Sequence, residues 1–173
     1  MSEQPPSTPS SGGGGQMQNP FQGLDVDKIK SAGLPTQLML GGAVVFLIFS
    51  FFNWYGASVS VAGFSRSVDW NAWHYFPGIL AVLLMVGVGV LALLMLLQGP
   101  NQNFVYGALG GSGLSILLVI WYWAASAGED IPSGSGVDSG ADFGLYIALI
   151  AAAVATYGAF MTFQAFQKSR TAS

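Results

Sequence analysis

YFPGILAVLLMVGVGVLALLMLL, residues 75–97, decides the class of this protein. After Tyr-Phe-Pro the stretch is almost wholly aliphatic, and it contains no Asp, Glu, Lys, Arg or His. A helix of that length covers the hydrocarbon core of a bilayer, about 30 Å at about 1.5 Å per residue. A helix apolar on every side belongs in a membrane or in the core of a much larger protein. Pro77 falls in the first turn, where a missing N–H does no harm. The segment reads as a transmembrane helix.

Three further segments share this character: QLMLGGAVVFLIFSFFNW (37–54), FVYGALGGSGLSILLVIWYW (104–123) and FGLYIALIAAAVATYGAFMTF (143–163). The expected fold class is an all-α integral membrane protein with four transmembrane helices in an antiparallel bundle. The composition agrees, with 8% charged and 52% hydrophobic residues against roughly 25% and 45–50% in soluble domains. With net charge −3 and five Lys and Arg, the chain lacks the basic footprint that nucleic acid requires. It has no cysteine and one histidine, so thiolate and His-cluster metal sites are excluded, and no cofactor is expected.

Outside the spans, MSEQPPSTPSSGGGGQMQNP (1–20) has too few bulky apolar residues to offset the entropy of ordering and reads as a disordered cytoplasmic tail. It lacks the basic start and apolar core of a signal peptide. In FQGLDVDKIKSAGLP (21–35), Leu24, Ile29 and Ala32 share one face of a short helix begun near Asp25 and stopped by Gly33 and Pro35. Two readings stay open: an interfacial helix with Lys28 and Lys30 towards lipid headgroups, or a solvated linker. Residues 36–168 then form the membrane domain and 169–173 its C-terminal end. Lys28 and Lys30 before the first span, with Lys168 and Arg170 after the fourth, predict a plasma-membrane protein with both termini cytoplasmic.

That orientation puts all five tryptophans, Trp54, Trp70, Trp73, Trp121 and Trp123, at or beyond the outer ends of spans, with Tyr55, Tyr75 and Tyr122. Trp54, Trp121 and Trp123 suit an interfacial belt, in which an indole sits between hydrocarbon and headgroups. Trp70 and Trp73 lie in the loop. Three residues apart, they would share one side of a helical turn, and with Arg66 they are candidate docking residues. ASVSVAGFSRSV (57–68) alternates apolar and polar residues around Ala62-Gly63, as a short extracytoplasmic hairpin or extended ribbon would. AGEDIPSGSGVDSGAD (127–142) reads as a mobile acidic loop.

Catalysis within a membrane needs nucleophiles, paired carboxylates or metal ligands at depth, and the spans hold none. A non-enzyme is expected. His74 reads as an interfacial hydrogen-bonding residue and Arg66 as solvated or headgroup-bound. The spacing of Glu129, Asp130, Asp138 and Asp142 matches no calcium loop. Small residues say more. Gly107, Gly111 and Ser115 recur every fourth position in the third span, and Gly144, Ala148, Ala152, Ala155 and Ala159 line the fourth. Such faces let helix backbones approach closely. Thr156 and Tyr157 are expected to bond within the bundle.

A Pro/Gly-rich tail, Leu34-Pro35 before the first span and a fourth span leaving through Phe163-Gln164-Ala165 complete the outline. This layout resembles a family of small four-span membrane proteins of mycobacteria and related actinobacteria, which includes an antigenic membrane protein. The resemblance implies a role at the cell envelope or with the division machinery, and it carries no catalytic residues. The Trp…Cys…Cys pattern of claudins is absent. The expected function is that of an accessory or scaffold component in the lipid bilayer, with a membrane-protein partner or a second copy of itself. A passive pore or transporter without ionisable coupling groups, and a small subunit of a respiratory or secretion complex, are the alternatives.

Overall fold

In the computed structural model the described residues are 26–61, 64–127 and 137–171. The N-terminal tail, the start of the 21–35 segment, Ala62-Gly63, and Glu129 and Asp130 lie outside them. The elements in chain order are α1 (Val26–Lys30), α2 (Leu34–Phe49), β1 (Asn53–Val61), β2 (Phe64–Asn71), α3 (Phe76–Gln98), α4 (Gln102–Ala127), β3 (Val137–Ala141) and α5 (Phe143–Thr171).

Every long apolar segment is helical, the state that satisfies its backbone polar groups without water. α3, α4 and α5 are long and apolar enough to cross a membrane. α2 is shorter than its apolar run. Its 16 residues make about 24 Å of helix, and the expected continuation to Trp54 is corrected. Two side chains close its C-terminal end: Ser50 Oγ donates to the Leu47 carbonyl at 2.7 Å and Trp54 Nε1 to that of Phe49 at 2.9 Å. From Asn53 the chain pairs as a strand instead.

The helices close a ring: α2 lies most extensively against α5, α3 against α4, and α4–α5 and α2–α3 complete the square. At one end α3 passes to α4 by a tight turn. Gly99 there adopts φ 88°, which side chains disfavour. Asn101 starts α4, its side chain accepting from Asn103 N at 3.1 Å and its carbonyl from Val105 N at 3.0 Å. The strands of the other two connections, α2 to α3 and α4 to α5, lie at the opposite end and form the sheet.

That sheet has the order β2-β1-β3, antiparallel throughout. The expected hairpin is present, with Ser58 opposite Ser67 and Val59 opposite Arg66. Of the loop expected to be mobile, residues 128–136 lie outside the described ones, and Val137–Ala141 is instead a strand that pairs along the free edge of β1, Tyr55 opposite Ala141 and Val59 opposite Val137. Asp142 N then donates to the Trp54 carbonyl at 2.9 Å, fixing the start of α5 beside the base of β1.

Candidate functional site: the amphipathic sheet

Alternation along β1 and β2 gives the sheet two unlike faces. Gly56, Ser58, Ser67 and Asp69 share one with Asp138 and Gly140 of β3, around an open polar cleft of about 360 Å³. Asp142 borders this cleft, yet among the described residues no group of His, Cys, Asp or Glu is placed to hold a metal. The other face carries Tyr55, Ala57, Val59, Phe64, Val68 and Trp70, with Arg66 the one charge among them.

The base of the apolar face closes the bundle. Tyr55 is buried and stacks on Trp70, centroids 6.0 Å apart; Trp70 meets His74 at 5.9 Å, and His74 meets Tyr75 at 4.8 Å. Tyr75 packs on Tyr122, which packs on Trp54, itself edge-on to Phe46. Backbone anchors tie these rings down: Tyr122 OH donates to the Asn71 carbonyl at 3.0 Å and Ala72 N to that of Ser50 at 3.3 Å. Gly78, in the first turn of α3, lies directly against the Ala72 carbonyl, where no side chain would fit.

Several expectations change accordingly. Trp54 is not an interfacial belt residue: it is fully buried, its indole used to cap α2. Tyr55 and Tyr122 are buried with it. Trp70 and Trp73 do not share a helical turn, since Trp70 belongs to β2 and Trp73 to the turn beyond it. Trp70 is half-buried against Tyr55; Trp73 is exposed and lies on Phe51 at 5.6 Å. Trp121 and Trp123 stand exposed near the sheet end of α4. Thr156 Oγ1 donates to the Ala152 carbonyl at 2.8 Å, within its own helix, whereas Tyr157 points outward at 59% exposure.

Towards the tip none of the described residues covers the apolar face. Phe64 is 85% exposed, and Val59 and Val68 are also exposed. With Arg66 and Trp70 they line a shallow cleft of about 300 Å³. The exposed apolar surface is therefore centred nearer the tip than the Trp70–Trp73 pair. The strict alternation of 57–68 was its sequence signal.

The small-residue faces lie at the seams. Ser115 Oγ donates to the Ala81 carbonyl of α3 at 3.1 Å, and Gly107 and Gly111 face Leu91 and Val88 of α3. Gly144, Ala148, Ala152, Ala155 and Ala159 are all buried. Gly42 and Gly158, not singled out from spacing, make the closest approaches between α2 and α5. Comparison with protein families and with curated proteins gives no match, so the role of the chain is argued from its own residues.

Proposed function

We propose that this is a four-span, non-catalytic integral membrane protein that works as an accessory or scaffold component of a cell-envelope or division complex, docking a membrane-protein partner through the tip of its sheet. The observation that carries the reading is the apolar face around Phe64 and Val68, held out on paired strands and left uncovered by the described residues. Exposed apolar surface on a rigid support is what a partner buries, and an arginine among aromatic and aliphatic anchors is a common hot-spot composition. Trp70, stacked on Tyr55 and tilted against His74, stiffens the support. For α2 to cross beside the longer helices, the Phe51–Trp54 segment and its aromatic neighbours complete the depth, since short apolar stretches are accommodated by local thinning of the bilayer. The basic residues at both ends of the chain favour cytoplasmic termini at the plasma membrane. The envelope or division setting rests on the resemblance in layout.

The test is site-specific photo-cross-linking in native membranes, with the probe at Phe64 or Val68 on the apolar face and at Ser65 or Ser67 on the polar one. A discrete cross-linked partner from the first pair alone is the expected result. Identical patterns from both faces, or none from either, would refute docking through this face. Reporter fusions at Ser135 and after Arg170 test the orientation, exterior and cytoplasm respectively.

A further inference from the structure

At the tight-turn end, α1 turns back beside α2 and leaves a groove of about 680 Å³. It is lined by Leu40, Gly41 and Val44 of α2, by Leu93 of α3 and by Ile29 and Lys30 of α1. The lining is almost entirely hydrocarbon. Its polar members are Lys30 and Gln37, and none of the lining residues is a carboxylate.

We propose that this groove binds an anionic phospholipid, one acyl chain along α2 and the headgroup phosphate at Lys30. The inference rests on the helices spanning a bilayer and is independent of any partner at the sheet. Gly41 makes the space: a methyl group there would meet no atom within 4 Å, whereas one on the adjacent Gly42 would run into α5. Gln37 holds the end of α1. Its Nε2 donates to the carbonyls of Lys30 at 3.0 Å and Ala32 at 2.9 Å, satisfying acceptors that the end of α1 leaves open. The Lys30 end of α1 is thereby held beside the start of α2, where a bilayer's headgroups would lie.

An apolar groove gains nothing from water, and at this depth the available occupant is a lipid chain. The ammonium group selects the headgroup. A zwitterionic lipid offers the same phosphate but brings its own cation, while an anionic lipid leaves its charge free to pair. One lysine at an anionic surface corresponds to a preference of about five-fold.

The full chain in non-ionic detergent is titrated with phosphatidylglycerol and with phosphatidylcholine of matched chains, and retained lipid is counted by native mass spectrometry. Wild type should hold one phosphatidylglycerol about five-fold more tightly than phosphatidylcholine. Lys30→Gln should erase that preference while leaving retention dependent on chain length. Gly41→Leu should fill the groove and abolish retention of both lipids at an unchanged melting temperature; if it lowers the melting temperature, Val44→Phe, from the same lining, replaces it. Equal retention of the two lipids by wild type, undiminished retention by the filled variants, or displacement by inorganic phosphate overturns the proposal. Release of the chain from membranes by alkaline carbonate would sink the spanning reading instead, and none of the lipid measurements mimics that result.

Discussion

The two most extensive seams of the bundle are built differently. Between α2 and α5, backbone meets backbone: a methyl group on Gly42 would lie 2.7 Å from the Ala151 carbonyl oxygen and 2.8 Å from Ala155 Cβ. Gly158 repeats the arrangement at the other end of the seam, 2.6 Å from the Pro35 carbonyl oxygen, and Gly144 meets Asn53 in the same way. Between α3 and α4, glycines face side chains. A methyl group on Gly107 would reach Leu91 Cδ1 at 3.1 Å, and one on Gly111 Val88 Cγ2 at 3.2 Å, both side-chain atoms that need give by only a few tenths of an ångström. One buried hydrogen bond, from Ser115, crosses that seam. In lipid, where apolar burial between helices gains little, close packing and such hydrogen bonds carry association. The first seam relies on contact without give, the second on adaptable contact and a polar link.

The difference is testable by wedging. Gly42→Leu and Gly158→Leu place side chains where only main chain can yield, and each should destabilise by about 3 kcal/mol or more, the upper end of overpacking. Detergent unfolding would show it, or failure to accumulate in the membrane. Ala152→Leu, at a buried α5 position that already carries a Cβ, should fall in the range of about 1–3 kcal/mol. Gly111→Leu should cost about 1 kcal/mol, because the Val88 side chain need yield far less than main chain would. If Gly111→Leu proved as damaging as Gly42→Leu, the two seams would not differ in give and the contrast would fail.

How much of this the sequence discloses follows from what spacing encodes. Small-residue spacing falls on buried positions throughout α5, since that regularity lies within one helix, but on α4 Ser115 is buried, Gly111 half-buried and Gly107 exposed. It could not mark Gly42 as the partner surface on α2, because Gly41 and Gly42 are adjacent glycines and only the neighbouring helix tells them apart. The same limit applies at the sheet end. A tryptophan at the rim of a bilayer and one plugging the end of a bundle occupy the same depth, so Trp54 read as belt until its hydrogen bond to Phe49 was seen. β3 was hidden for another reason. Its Val-Asp-Ser-Gly-Ala sequence has mostly poor strand formers, and the strand exists because β1 presents a free edge more than seventy positions earlier in the chain. The hairpin was visible because its pattern and its turn are both local.

A smaller effect probes the polar link of the second seam. Ser115→Ala removes the bond to Ala81 with little change of volume and should cost about 0.6 kcal/mol, a typical value for an interhelical hydrogen bond in lipid. A loss near 3 kcal/mol would make this bond, rather than packing, the main support between α3 and α4.

The smallest effect decides whether the glycines act through packing at all. Gly110 adjoins Gly111 on α4, but a Cβ there would meet nothing within 4 Å, and the residue is exposed. If the glycines serve only to loosen their helix, Gly110→Leu and Gly111→Leu should behave alike, since both remove the same backbone freedom. If they serve approach, Gly110→Leu should change stability by no more than about 0.5 kcal/mol. Any shift should be towards greater stability, because leucine is the better helix former. Reversible unfolding in mixed micelles, with Gly42, Gly111 and Gly110 each replaced by leucine, reads the series directly. Neutrality at Gly110 together with graded losses at Gly111 and Gly42 ties each cost to the atom the new side chain strikes. A uniform loss at all three would move the explanation from the seams to the helices themselves.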